Sequence, residues 1–309
     1  MTKQKAVIDI GTNTFHLLIA NVDEQQNIDI IHKNTIAVKL GEGGVNKGHI
    51  ADAAYKRGID ALVLFRKELS KHNIKEVKAT ATAAVRDASN GKEFIAEALE
   101  KAQIQITIID GLKEAEYIYN GAKGAGVLND KTSLIMDIGG GSVEFIICNQ
   151  NQIFWKQSYQ LGAARLLADY YQHENAIEKS TLENIHQHFS NTLINLFEAV
   201  KTQHPKKLIG TAGSFDSFAT IIALKQQVLF NPETMKSFEL NYPEIMNLLD
   251  EIIESTHQQR LAMQGLIPLR TDMILMAAIL TQFIIKRTHI EEVITCTYSL
   301  KEGLILSDH

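Results

Sequence analysis

Two glycine-rich segments, each opened by an aspartate, are the parts of this sequence best suited to binding phosphate. One spans residues 9–14 and the other residues 137–142, and each follows a β-branched run that predicts a buried strand. A glycine-rich turn after a strand points several backbone N–H groups into one concavity, and hydroxyl groups add donors. The predicted phosphate-binding residues of these loops are Gly11, Thr12, Asn13, Thr14, Gly139, Gly140, Gly141 and Ser142.

The aspartates of these loops, Asp9 and Asp137, predict a divalent cation. A carboxylate repels phosphate unless a cation lies between them, and Mg²⁺ prefers one or two carboxylates together with phosphate oxygens and water. A single loop of this kind is more simply a hairpin turn with an aspartate at the end of its strand. Two copies at matching positions, 137 − 9 = 128 residues apart, favour the ligand-binding interpretation.

A third loop, residues 210–214, lies between a predicted strand and a predicted helix. At such a place the helix dipole and the unpaired N–H groups of the first turn favour an anion. The alternative is structural, with Ser214 as a helix N-cap. The residues of this loop that we predict to bind phosphate are Gly210, Thr211, Ala212, Gly213 and Ser214.

A glutamate and an arginine complete the candidate site. Glu114 follows the last strand of the first half, where a carboxylate at the crevice of an α/β sheet is placed to take a proton from an attacking water. Alternatively, Glu114 and Glu116 only complement a helix dipole. Arg86 lies among small residues after a strand, and its fork suits bidentate binding of phosphate. Its alternative is a surface side chain or an ion pair with Asp87.

These residues are positioned by an element pattern that occurs twice. Both halves are predicted as βββαβαβα, with opening strands at residues 6–10, 15–20 and 28–38 and again at 133–138, 143–148 and 152–159. The pattern predicts two α/β domains of ribonuclease-H-like type with a cleft between them. We assign residues 1–124 to the first and 125–309 to the second, and the last helix would pack back on the first domain.

Composition narrows the class of partner. The 309 residues carry a formal net charge of −5, which excludes a nucleic-acid backbone as the main partner. The apolar run 273–285 is too short and too polar at its flanks to span a membrane. Two cysteines in apolar runs indicate the reducing cytoplasm. An exposed apolar face on the helices between residues 271 and 285 would allow a homodimer.

With these motifs in order, the chain resembles the exopolyphosphatase and guanosine pentaphosphate phosphohydrolase family (Ppx/GppA) of the actin, sugar-kinase and heat-shock-protein ATPase superfamily. The resemblance covers nearly the whole chain. It rests on residues 9–14, 80–90, 109–115, 137–144, 161–166, 210–214, 268–274 and 300–304.

The resemblance implies roles for particular residues. Glu114 falls on the glutamate that activates the water, and Arg86 on the phosphate-gripping arginine. Asp137 and Glu144 fall on the carboxylates that hold Mg²⁺, or Mn²⁺, and help to position that water. Only the second loop continues to such a glutamate, because the equivalent place in the first half is His16. We therefore expect the second loop to carry the metal and the first mainly to hold phosphate.

The implied activity is release of terminal phosphate from inorganic polyphosphate, guanosine pentaphosphate or both. Departures from the family pattern at Lys113, Glu116 and Lys301 bear on substrate preference. Two alternatives stay open: a small-molecule kinase of the same superfamily, and a non-catalytic sensor of alarmone or polyphosphate. The kinase requires an adenosine pocket and an acceptor, and the sensor requires tight binding without phosphate release.

Overall fold

The structure is a computed structural model and describes residues 2–171 and 175–307. The first half contains, in chain order, β1 (Lys3–Ile10), β2 (Phe15–Val22), β3 (Ile28–Ile36), α1 (Asp52–Lys71), β4 (Lys78–Ala81), α2 (Ala83–Arg86), α3 (Gly91–Ala102), β5 (Ile106–Ile108) and α4 (Gly111–Ala125). Apart from the short α2, this is the predicted order βββαβαβα. The predicted fold class is confirmed.

The second half repeats that order with additions. It contains β6 (Ser133–Ile138), β7 (Val143–Cys148), β8 (Ile153–Tyr159), α5 (Ala163–Tyr170), α6 (Lys179–Thr192), α7 (Ile194–Gln203), β9 (Lys207–Thr211), α8 (Ala212–Gln226), β10 (Ser237–Leu240), α9 (Tyr242–Glu254), α10 (His257–Ala262), α11 (Met273–Thr288), β11 (Glu292–Cys296) and α12 (Leu300–Leu306). A 3₁₀ turn at Pro268–Arg270 precedes α11.

The two sheets have the same topology at their centres. The first has the strand order β3-β2-β1-β4-β5, and the second has β10-β11-β9-β6-β7-β8. In each, the loop-bearing strand, β1 or β6, pairs antiparallel with the next strand and parallel with β4 or β9. The carboxyl ends of the central parallel strands therefore meet at one edge, where ligands bind in open α/β sheets.

One strand was not predicted. The residues between 214 and 286 show mainly helical patterns, but Ser237–Leu240 pairs antiparallel with β11 at the edge of the second sheet. Four residues are too few for a period-two pattern to stand out from the helical pattern around them. The strand is fixed by its partner, and Leu240 is buried in the core of the second domain.

Apolar side chains form one core in each domain and a third cluster between them. The third cluster joins side chains of both sheets to α4 and α12. These two helices cross almost backbone to backbone: a Cβ on Gly121 would lie 2.3 Å from the carbonyl oxygen of Ser299, and one on Gly303 would lie 1.6 Å from that of Tyr117. The terminal helix thus packs on α4 and on β1 of the first half.

The predicted dimer surface is wrong. Every residue from Ile274 to Ile285 of α11 is buried within this chain. The helix is apolar on all sides because α5, α6, α7 and α9 pack around it. It therefore offers no exposed apolar face to a second copy. None of the described helices is long and apolar enough to cross a membrane.

Candidate active site

The two phosphate loops have the same local geometry. The N–H of Gly11 donates to the carbonyl of Thr14 over 3.1 Å, and the N–H of Gly139 donates to that of Ser142 over 3.0 Å. A Cβ on either glycine would lie within about 3.0 Å of that carbonyl oxygen, closer than side chains tolerate. Both turns therefore favour glycine at this position, which supports the interpretation of the loops as copies.

The loops face each other across the cleft. A Cβ on Gly140 would lie 3.1 Å from Cβ of Thr12, and one on Gly141 would lie 2.6 Å from its Oγ1. Together they line a cavity of about 360 Å³. The predicted site residues on its wall are Asp9, Gly11, Thr12, Asn13, Thr14, Glu114, Asp137, Gly139, Gly140, Gly141, Ser142, Ala212, Gly213 and Ser214. The other predicted site residues, Arg86, Glu144, Gly210 and Thr211, are not on this wall.

The third loop differs from the prediction in where its helix begins. α8 starts at Ala212 with Thr211 as its N-cap, so Ser214 lies in the first turn and is not the N-cap. The hydroxyl of Thr211 makes no cap; it donates to Oδ2 of Asp137 over 2.5 Å. The hydroxyl of Ser299, the N-cap of α12, donates to the same oxygen. The starts of two helices thus hold one carboxylate of the cleft in place.

Ala212 has a left-handed backbone, with φ of +66°. A non-glycine residue in this region is strained, and such strain collects at binding sites. We expect Ala212→Gly to stabilise the protein by about 0.5–1 kcal/mol, because relief of the Cβ clash exceeds the added freedom of the unfolded chain. Urea unfolding of both proteins measures this. Destabilisation by the glycine would contradict it.

Three buried carboxylates, Glu114, Asp137 and Glu144, and the half-buried Asp9 converge where the two domains meet. In the second sheet Asp137 pairs directly with Glu144, whereas in the first Asp9 pairs with His16. Burial raises the pKa of Asp9 to about 7, with the charge of Asp137 adding to the shift. Burial and then Asp137 raise the pKa of Glu144 to about 8. Burial also raises the pKa of Asp137. Negative charge is therefore disfavoured here unless a cation balances it.

Glu114 lies in the first turn of α4, where Asp110 caps the helix by accepting from the N–H of Lys113 over 2.7 Å. A Cβ on Gly111 would strike Ser158 at 2.2 Å, so the start of α4 lies directly on β8 of the second domain. This contact brings Glu114 to the junction of the domains. Burial, and next the charge of Glu144, raise its pKa well above the usual value.

Arg86 does not line the cavity, but it contacts Glu114, which does. Its Nη1 lies 3.5 Å from Oε2 of Glu114, and its Nε lies 3.3 Å from Oδ1 of Asp87. Nη1 also donates to the carbonyl of Ile109 over 3.1 Å. The predicted alternative of a pair with Asp87 is thus present, together with an ion pair to the candidate base. Glu116 turns away and pairs with Lys113 and Lys156.

Residues 18–309 match the Ppx/GppA phosphatase family. The chain belongs to this family. The match spans most of the sequence and confirms the resemblance stated from its motifs.

Solved structures and curated relatives agree with the family. An exopolyphosphatase from Cytophaga hutchinsonii is 38% identical, with a TM-score of 0.93 over 97% of this chain and 96% of that one. A Ppx/GppA family member from Aquifex aeolicus is 20% identical and shares the fold with a TM-score of 0.81 over 99% and 97% of the two chains. A bifunctional 3-dehydroquinate synthase/phosphatase of Fusobacterium nucleatum is 30% identical over 91% of this chain, which spans 43% of that protein's length. Exopolyphosphatase 2 of Mycobacterium tuberculosis is 25% identical over 98% and 97% of the two chains.

The donor set of this Ppx/GppA site fits a hard divalent cation. Oδ1 of Asp9 and Oε2 of Glu144 are buried without a hydrogen bond. Within the described residues, the oxygens of Asp9, Asp137 and Glu144 do not all lie within 4.8 Å of one another. Such spacing suits Mg²⁺, which keeps several waters and takes only one or two carboxylates directly.

The sequence analysis assigned no role to four charged residues on the cavity wall, Lys33, Asp216, Glu233 and Arg270, and it named Lys301 only as a departure from the family pattern. Burial alone would lower the pKa of Lys301, but the charge of Glu302, 3.1 Å away, raises it above its usual value. Arg270 donates to the hydroxyl of Ser217 over 3.0 Å. Arg270 and Lys301 lie in the stretches 268–274 and 300–304, which match the family pattern. A basic residue in each of these stretches was therefore the sequence signal that could have identified them.

The clustered carboxylates predict how the stability of this Ppx/GppA protein depends on pH. An acid whose pKa is raised on folding contributes stability that is complete below its unfolded pKa and is lost as pH rises through its folded pKa. For Asp9 and Glu144 this window runs from the usual values of 3.8 and 4.5 to about 7 and about 8. We therefore expect the free energy of unfolding in EDTA to fall across this range.

Urea unfolding at several pH values, with EDTA or with saturating Mg²⁺, measures this effect. Mg²⁺ should flatten the dependence, because a bound cation stabilises the charged carboxylates. A free energy of unfolding in EDTA that is constant or rises over the window would contradict the prediction.

Proposed function

We propose that this chain hydrolyses terminal phosphoanhydride bonds of phosphate chains, with inorganic polyphosphate as the main substrate. The observation that carries the proposal is the position of Glu114, on the wall of the same cavity as both phosphate loops and the start of α8. A base within the phosphate site is arranged to activate water. The exopolyphosphatases among the similar proteins support the choice of substrate class.

The loops bind and orient the terminal phosphate. Backbone N–H groups of residues 12–14 and 140–142 and the N-terminus of α8 supply donors on several sides, and preorganised donors stabilise charge on a transferring phosphoryl group. A Mg²⁺ held by Asp137, Glu144 and Asp9, directly or through bound water, would neutralise charge on the phosphate oxygens. Lys301 and Arg270 add positive charge on the same wall.

Glu114 takes the proton of the attacking water. The water oxygen forms a bond to the terminal phosphorus, the bond to the bridging oxygen breaks, and the shortened chain leaves with that oxygen. Arg86, 3.5 Å from Oε2, favours the ionised carboxylate that this step needs. Burial and Glu144 oppose ionisation, so a cation near Glu144 would also prepare the base.

The first loop would mainly hold phosphate, because the residue paired with its aspartate is His16 and not a glutamate. The two ring nitrogens of His16 form hydrogen bonds of 2.9 Å with the hydroxyl groups of Thr14 and Thr35. Burial, and then the charge of Lys301, lower its pKa well below the usual value, so the ring is neutral. A neutral imidazole fixes the loop through Thr14 without adding a negative charge, whereas Glu144 adds one at the equivalent place.

Phosphate release from polyphosphates of defined length, guanosine pentaphosphate and ATP, with and without Mg²⁺, tests the proposal. We expect Mg²⁺-dependent release from polyphosphate, and activity on guanosine pentaphosphate would extend the substrate class. ATP consumption that requires an added acceptor would show a kinase. Tight binding without release of phosphate would show a sensor. Either of these last two results would overturn the proposal.

A further inference from the structure

His32, Glu68 and His72 form a cluster on the side of the first sheet opposite the cleft. His32 lies in the middle of β3, whereas its neighbour Lys33 lines the cleft, so the alternation along the strand turns His32 the other way. Glu68 lies in the last turn of α1, and His72 is its C-cap. Residues four apart share a helix face, so both meet the strand on the same side.

A β-bulge aims His32 at this helix. β2 and β3 change register between Ile19 and Ala20, which pair with His32 and Ile30. Ile31 is therefore the extra residue in the strand. Bulges bend a strand and redirect the neighbouring side chains, and they recur at functional positions. Here the bulge directly precedes the histidine.

The donor atoms of the cluster lie close together without bonding one another. One nitrogen of each imidazole and one oxygen of Glu68 all lie within 4.8 Å of each other, and no other set of three His, Cys, Asp or Glu side chains in ranges 2–171 and 175–307 does so. Nε2 of His32 is inaccessible to solvent and has no hydrogen bond. It lies 3.9 Å from Oε2 of Glu68, too far for one.

The surroundings leave these donors available to a cation. Lys71 donates to Oε1 of Glu68 over 2.8 Å, so Oε2 is the oxygen that faces His32. The imidazole rings of His32 and His72 lie with centroids 4.9 Å apart at 34°, a tilted arrangement in which both present a nitrogen to the same region. A set of two imidazoles and a carboxylate favours Zn²⁺, whereas Mg²⁺ prefers oxygen ligands alone.

We propose that His32, Glu68 and His72 bind one Zn²⁺ ion, separate from the hard cation of the cleft. Tetrahedral Zn²⁺ with bonds of 2.0–2.1 Å places its ligand atoms about 3.3 Å apart, so the donors move inward by at most roughly 1 Å on binding. About a quarter of each of the His32 and Glu68 side chains is exposed, which allows this movement. Solvent fills the fourth position, and the ion ties the edge strand β3 to the end of α1.

Titration of the metal-stripped full-length chain with zinc chloride tests this site. Excess Mg²⁺ in the buffer occupies the hard carboxylates of the cleft, and calorimetry then reports Zn²⁺ binding. We expect one equivalent to bind and to raise the thermal unfolding midpoint. Co²⁺ as a probe should give the visible absorption of a four-coordinate ion.

Single variants identify the ligands. His32→Gln and His72→Gln should each weaken Zn²⁺ binding by about 100-fold or more, since even residues that only support a metal ligand contribute 10- to 100-fold. Lys71→Gln alters a neighbour that supplies no ligand atom to the ion, so it should leave the stoichiometry of Zn²⁺ binding unchanged. Glu68→Gln provides a third test at a partly exposed residue if a histidine variant does not fold. Absence of binding to the parent chain, or binding that survives both histidine changes, would overturn the proposal.

Discussion

Glu114→Gln is expected to lower the rate of phosphate release from polyphosphate by about 10²–10⁴-fold, the usual contribution of a general base. Gln has the same shape and keeps an oxygen near Arg86, so binding of substrate and metal should change little. Folding should be preserved, because the pKa of Glu114 is already raised well above its usual value by burial and Glu144. Steady-state kinetics should show the loss in kcat and not in KM.

Glu116→Gln is the matched control for this prediction. Glu116 lies two residues further along α4 and makes ion pairs with the exposed Lys113 and the half-buried Lys156, away from the cavity wall. Because neither pair touches the cavity in which the chemistry is proposed, its kcat should stay within about two-fold of the parent value. A wild-type kcat in Glu114→Gln would remove Glu114 from the role of base. The assignment of the cleft as a phosphate site would still be open to test by binding.

Asp137→Asn is expected to reduce activity by at least about 10²-fold at moderate Mg²⁺, since even supporting residues of a metal site contribute up to that amount. The amide oxygen can still accept from Thr211 and Ser299, so the local structure is retained. The negative charge is lost. Activity measured over a range of Mg²⁺ concentrations should show half-saturation shifted to higher Mg²⁺.

The same change should stabilise the protein in EDTA. Asp137 raises the pKa of both Asp9 and Glu144, so its removal reduces repulsion among buried carboxylates. The free energy of unfolding should rise and depend less steeply on pH, in exchange for lost function. Asp130→Asn, at an exposed turn, is the control and should change neither quantity. A Mg²⁺ dependence of Asp137→Asn equal to that of the parent would contradict its role as a ligand.

The duplicated loops were predictable because they depend on local chemistry. A glycine is needed at Gly11 and Gly139 to avoid the carbonyl three residues on, and this need is written into the sequence itself. The opening strands of both halves were visible for the same reason, since β-branched runs ending in glycine specify a buried strand and a turn. The correspondence of His16 with Glu144 followed from counting positions, and the strand registers confirm it.

Other features depended on contacts between distant parts of the chain. α11 was expected to expose an apolar face, although a helix that is apolar on all sides is typical of one buried all round; which neighbours cover it is decided by the fold. β10 exists only because β11 offers an edge to pair with. The start of α8 was misplaced because the hydroxyl of Thr211 bonds to Asp137, 74 residues away, and not to its own helix.

The sequence by itself determined the chemistry available to this protein: two phosphate loops, the carboxylates beside them, and a glutamate at the start of a helix. Only the tertiary structure decided which of these groups share a cavity and how their surroundings shift their pKa values. Glu114 meets Glu144 because α4 lies against β8, and Asp137 receives Ser299 because α12 crosses α4 through glycines. The raised pKa values that follow come from burial and from charges distant in the chain, and no local pattern encodes either.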